Sequence, residues 1–79
     1  MRYTVVLTPE QDGSAYNVTV PSMPGCLTWG ATVDDALASA REAIALDLEG
    51  YAERGEPYPI EDTPPSVTQV EAHLLRAAS

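Results

Sequence analysis

The chain has no lysine, one cysteine, one histidine and one tryptophan in 79 residues. Its four basic residues are all arginines, against 12 acidic ones, for a formal net charge of −8 and an isoelectric point near 4.2. A surface so poor in positive charge repels phosphates, which argues against binding DNA, RNA or an anionic membrane. The same field attracts a basic partner and speeds its encounter. The lone cysteine, Cys26, makes no internal disulfide, and that usage fits a reducing cytoplasm. No apolar run approaches the roughly 18 residues that span a bilayer. The opening stretch, MRYTVVLTPEQDGS, is too short in apolar residues for a signal peptide, so a cytoplasmic location is expected.

Short length excludes as much as composition does. One thin core layer fits in the chain, a sheet with a helix. Oligomerisation is the expected way to bury more. An apolar content of 44% excludes disorder throughout.

What is present reads as one domain over residues 1–79. Residues 2–8 are β-branched and aromatic, with Tyr3, Val5 and Leu7 alternating. After a turn at Asp12-Gly13, residues 15–20 alternate again, Tyr16, Val18 and Val20 on one face. The two runs predict an antiparallel hairpin. Pro21, Pro24 and Gly25 break the ladder, and residues 26–31 predict a short third strand. Thr32 is the clearest helix start, its hydroxyl placed to accept from the N–H of Asp35, with Asp34 and Asp35 suited to the positive helix end. Val33, Leu37, Ala40, Ile44, Leu48 and Tyr51 form one stripe of a helix over 33–53, with Gly55 as its cap. Glu42, Glu49 and Glu53 fall mostly on the other side. A proline-rich connector leads to residues 67–74, where Thr68, Val70, Ala72 and Leu74 alternate with Val67, Gln69, Glu71 and His73. That alternation predicts a fourth strand, followed by five fraying residues. The expected class is α+β in the order β-β-β-α-β: an antiparallel meander, then one crossover helix.

Few residues suggest chemistry. The acids lie mostly on loops and the outer helix face, where solvated surface charge is the plain reading. His73 has no second histidine or cysteine at metal-ligand spacing. Cys26 reads as a small buried residue after a tight turn, and a nucleophile there needs a nearby cation or helix start. Trp29 is either a core residue or an interface anchor, a role in which tryptophan is enriched. No catalytic, metal or cofactor site is expected.

The run Tyr16-Asn17-Val18-Thr19-Val20-Pro21-Ser22-Met23-Pro24-Gly25-Cys26-Leu27-Thr28-Trp29-Gly30-Ala31-Thr32 resembles the HicB antitoxin family. There an aromatic-led strand precedes P-x-x-P-G-C-x-T-x-G-x-T and a helix. Asp35-Ala36, Glu42-Ala43-Ile44 and the Gly55-Glu56-Pro57 exit also fit that pattern, and the likeness covers about residues 3–74. The resemblance implies a shortened RNase H-like fold without a working carboxylate set. It implies an antitoxin that blocks a small basic HicA-like toxin, an mRNA-cleaving RNase with a catalytic histidine. Longer members carry a C-terminal DNA-binding module. About five residues follow the last predicted strand here, so the short, stand-alone form is expected, without direct nucleic-acid binding. The expected partners are that toxin and further copies of the chain, as a homodimer or homotetramer. Trp29, Glu42, Glu49 and Glu53 are the interface candidates, chosen by exposure. The competing readings are an oligomeric scaffold domain of the same fold with no toxin, and a residual nuclease that needs acids such as Asp12 and Asp47 to meet.

Overall fold

The computed structural model describes residues 1–76. Three short strands come first: β1 (Val6–Pro9), β2 (Tyr16–Thr19) and β3 (Leu27–Gly30). They form one antiparallel sheet in the order β1-β2-β3. The long helix α1 (Val33–Arg54) then crosses one face of it. This is the expected α+β meander and helix, with shorter strands.

Local chemistry explains where the ladder stops. Val6 pairs with Thr19, and beyond Thr19 the chain turns at Pro21, which has no N–H to offer. Residues 2–5, expected within the first strand, therefore lie outside the ladder. The third strand starts one residue late because the Cys26 N–H donates to the Met23 carbonyl at 2.9 Å. It stops at Gly30, where the chain heads into the Thr32 cap.

The expected strand over 67–74 is not formed. These residues have no ladder partner and are exposed throughout. Alternation records how a segment would sit in a sheet, but an isolated strand has nowhere to place its N–H and C=O groups except water. Fraying was expected of the last five residues, of which 77–79 lie outside the described residues.

The helix is bounded as its sequence requires. Thr32 is extended, and its hydroxyl accepts from the Asp35 N–H at 3.1 Å. Gly55, at φ 69°, closes the other end with its N–H on the Ala52 carbonyl. Its buried line is smaller than the predicted stripe. Ala36 and Ala40 are the residues fully inside, while Val33, expected to lead the stripe, is exposed. Close approach is the cause. A Cβ at Gly30 would stand 2.2 Å from the Ala36 backbone nitrogen, so helix and sheet meet where neither has a side chain of any size.

The core has two adjoining parts. Val18, Ala36 and Ala40 form one, flanked by Val5, Leu7 and Tyr16. Val20, Met23 and Cys26 form the other, under Ala43, Ile44 and Leu48. The loop between β2 and β3 builds the second part. Two successive turns, Met23 N–H to the Val20 carbonyl and Cys26 N–H to the Met23 carbonyl, tuck Met23 completely inside. Gly25, at φ 90°, makes the second turn possible, since a residue with a Cβ is strained there. The P-x-x-P-G-C-x-T-x-G-x-T pattern thus has a packing meaning at nearly every fixed position: turn, buried thiol, close approach and cap.

Candidate partner-binding surfaces

Two faces remain exposed. The first is the side of the sheet opposite α1. Gly30 faces the helix, so its strand neighbour Trp29 points away, and Leu27 with it. Trp29 is 61% exposed and Leu27 69%. Across the ladder they stand beside Asn17 and Thr19, with Val6 and Thr8 beyond. Trp29 is therefore not a core residue.

The second face is the outer side of α1. Glu42, Glu49 and Glu53 are all exposed there. At ~100° per residue the three fall along one ridge, and Leu46 falls on it too. Leu46 is 68% exposed, an apolar centre framed by carboxylates. Sequence reasoning missed it. The signal was available, since Leu46 sits four residues after Glu42 and three before Glu49, off the core stripe.

The structure does not bring the four candidates together. Trp29 lies on the outer face of the sheet, and the glutamates lie on the far side of the helix that covers the inner face. These are opposite sides of the molecule and suit two different contacts.

Groups capable of chemistry are otherwise engaged. Asp12 accepts from the Ser14 hydroxyl at 2.6 Å and the Ser14 N–H at 2.9 Å, and these bonds hold its carboxyl below the usual range. Burial pushes the Cys26 thiol up, and the negative charge of Asp47 adds to the effect, so the thiol stays protonated at neutral pH. His73 is exposed on the unpaired segment. Among the described residues no three histidine, cysteine, aspartate or glutamate side chains gather as a metal-holding group. No described helix is long and apolar enough to cross a membrane.

Glu61 is an acid that no local pattern singles out. Its carboxylate accepts from the Thr4 N–H at 2.9 and 3.1 Å, the Thr4 hydroxyl at 2.6 Å and the Ser22 hydroxyl at 2.8 Å. Nearby the Tyr3 hydroxyl donates to the Pro59 carbonyl. Together these clasp the segment after the helix to the entry of β1. Chiefly through the Thr4 hydroxyl, the bonds hold the Glu61 carboxyl below its ordinary value. A depressed folded-state pKa adds stability that is complete above the unfolded glutamate value and is lost as pH falls through the folded one. Thermal melts of the native chain and Glu61→Gln test this. The native chain should melt higher at about pH 6, and its advantage should shrink toward about pH 3.

A three-stranded meander crossed by one helix, with an acidic outer ridge, defines a small sheet-and-helix module of α+β class. Comparison with known sequences and structures says which. The sequence model described as "HicB_like antitoxin of bacterial toxin-antitoxin system" matches residues 3–74. The chain belongs to this family of antitoxins. It is 42% identical over 59 residues to the UPF0150 protein Ta0767 of Thermoplasma acidophilum, covering 75% of this chain and 84% of that one. Against the antitoxin HicB of Escherichia coli K12 the identity is 38% over 60 residues, 76% of this chain and 43% of the antitoxin. The chain therefore spans less than half the length of that antitoxin. The crystal structure of the N-terminal domain of Burkholderia pseudomallei antitoxin HicB superposes with a TM-score of 0.63 at 42% identity, covering 78% of this chain and 69% of that one.

Proposed function

We propose that this chain is the antitoxin of a HicAB-type pair, neutralising a small basic RNA-cleaving toxin by direct binding and without catalysis of its own. The observation that carries the reading is the family match over residues 3–74, joined to the likeness to a HicB N-terminal domain. Charge supplies the mechanism. A toxin that cleaves RNA must offer cations to phosphates, and a partner at −8 competes for the same surface. The ridge of Glu42, Glu49 and Glu53 steers the encounter. Leu46 at its centre then loses water and slows dissociation, as apolar residues ringed by polar ones do at interfaces. No bond is made or broken. The shortened RNase H-like description belongs to this reading, as does assembly into a homodimer or homotetramer.

The deciding experiment is co-expression with the product of the neighbouring gene, scored by growth. Rescue of a toxic, basic neighbour of ~60–80 residues supports the antitoxin. A neighbour that is neither basic nor toxic favours the scaffold reading instead. With purified partners, the association rate should fall about tenfold or more between low and high salt, as for electrostatically steered pairs. Replacing Glu42, Glu49 and Glu53 together by glutamine should remove most of that salt dependence. An association rate indifferent to salt would exclude steering by charge.

A further inference from the structure

The segment after the clasp is built as a strand and is not paired as one. Val67–Leu74 alternates like β2, yet Val70 is 86% exposed and Leu74 90%. No other part of the described chain covers it. The molecule's dimensions carry the same point. Its radius of gyration is 16.4 Å, with extents of 57 × 28 × 19 Å. A compact chain of this length has a radius near 12 Å. The excess is an arm that projects from the body.

Two features keep the arm off its own sheet. Glu61 fixes the chain at Thr4, on the β1 side. Pro64 and Pro65 then hold the next residues extended, because a proline pair favours the polyproline conformation and resists a tight return. The sheet meanwhile keeps an open edge. β1 pairs only with β2, so its outer side presents unpaired backbone groups along Val6–Pro9, with only a carbonyl to offer at Pro9, which has no N–H. Leu7, which points toward the helix, is only half-buried.

We propose that Val67–Leu74 of one copy adds as a strand to the β1 edge of a second copy, and that the exchange is reciprocal. The inference rests on the self-association reading above and names its means. A two-fold axis satisfies both arms at once, since each leaves beside the very edge its partner needs. Thr68, Val70, Ala72 and Leu74 then fall on one side, against Leu7 of the second copy, and Gln69, Glu71 and His73 face solvent with Val67. Eight residues at ~3.3 Å each reach about 26 Å, enough to span the whole edge. A rigid extended hinge favours exchange between copies over closure within one.

The test is hydrogen exchange and mass measurement on the full chain. The native protein should be a dimer, with alternate amides protected in the part of 67–74 that pairs with Val6–Pro9, because an edge-added strand bonds on one side only. Protection should fade on dilution toward monomer. Val70→Pro and Glu71→Pro each remove one N–H, and one of the two must point into the ladder. The variant that does should dimerise at least about tenfold more weakly while keeping its circular dichroism, since the arm touches nothing else in the monomer. Salt should strengthen this association, by screening two copies of like charge, whereas it weakens capture of a basic toxin. A native dimer untouched by both prolines overturns strand exchange but leaves self-association standing. A native monomer overturns both. Protection that persists at monomeric dilution places the strand within its own chain and overturns the proposal, as does protection that appears only when a basic partner is added.

Discussion

Gly30→Ala should cost this protein a large share of its stability. The new methyl would stand 2.2 Å from the Ala36 nitrogen, 2.5 Å from its Cα and 2.6 Å from the Asp35 carbonyl carbon. All three are backbone atoms at the first turn of α1, so no rotamer change relieves the contact. The helix must lift off β3, and it takes Ala36 and Ala40 out of contact with Val18. Overpacking typically costs about 1–3 kcal/mol where side chains yield, and the upper end or beyond applies where only backbone can. A domain this size holds about 4–12 kcal/mol in all. At about 4–8 °C per kcal/mol, a fall in melting temperature of at least about 12 °C is expected. Gly25→Ala is the control. It too is unfavourable, because φ is 90°, but nothing lies within 4 Å of the added Cβ. Its cost should stay near 1–2 kcal/mol. Equal losses from the two would mean that the close approach of helix and sheet is not what Gly30 provides.

Met23→Ala comes second. Met23 is fully buried between Val20, Cys26 and the helix residues Ala43, Ile44 and Leu48. Truncation leaves a void beneath a loop already held by two turns, so the site has little freedom to collapse. Buried methionine-to-alanine changes cost about 2–5 kcal/mol. Chemical denaturation should show the midpoint falling with the slope unchanged. Leu46→Ala separates stability from recognition. That residue is large, apolar and exposed, so its loss should move stability by no more than about 0.5 kcal/mol. Under the proposed function it should speed dissociation of the toxin instead. A loss of stability at Leu46 comparable to that at Met23 would refute the division between core and ridge.

The two methionine and leucine positions show where reading the chain succeeds and where it stops. Helix and hairpin were legible because their signals are local. Thr32 caps Asp35 three residues on, and the turn at Asp12-Gly13 lies between alternating runs. The exposure of Glu42, Glu49 and Glu53 follows from the same helical period. Met23 was not legible as core. It sits in a loop between prolines, outside any period, and its burial depends on turns folding it under a helix that begins ten residues later. Glu61 was hidden for a related reason. Its partners, Thr4 and Ser22, lie 57 and 39 residues away, and nothing near it in sequence marks the clasp.

Composition and local pattern suffice for the class: acid excess against four arginines, one helix with its caps, and a hairpin with a third strand after it. These follow from net charge, from periods of two and 3.6, and from turn chemistry, all of which act over a few residues. Packing between the elements settles which side of each is left open. It turned Trp29 outward because Gly30 must meet Ala36, and it set the acidic ridge on the opposite side of the molecule. It also left Val67–Leu74 without a partner, although its alternation is as regular as that of β2. A pattern of side chains fixes which face of a strand is apolar. Whether the strand forms depends on a free edge within reach, and reach is a property of the folded chain.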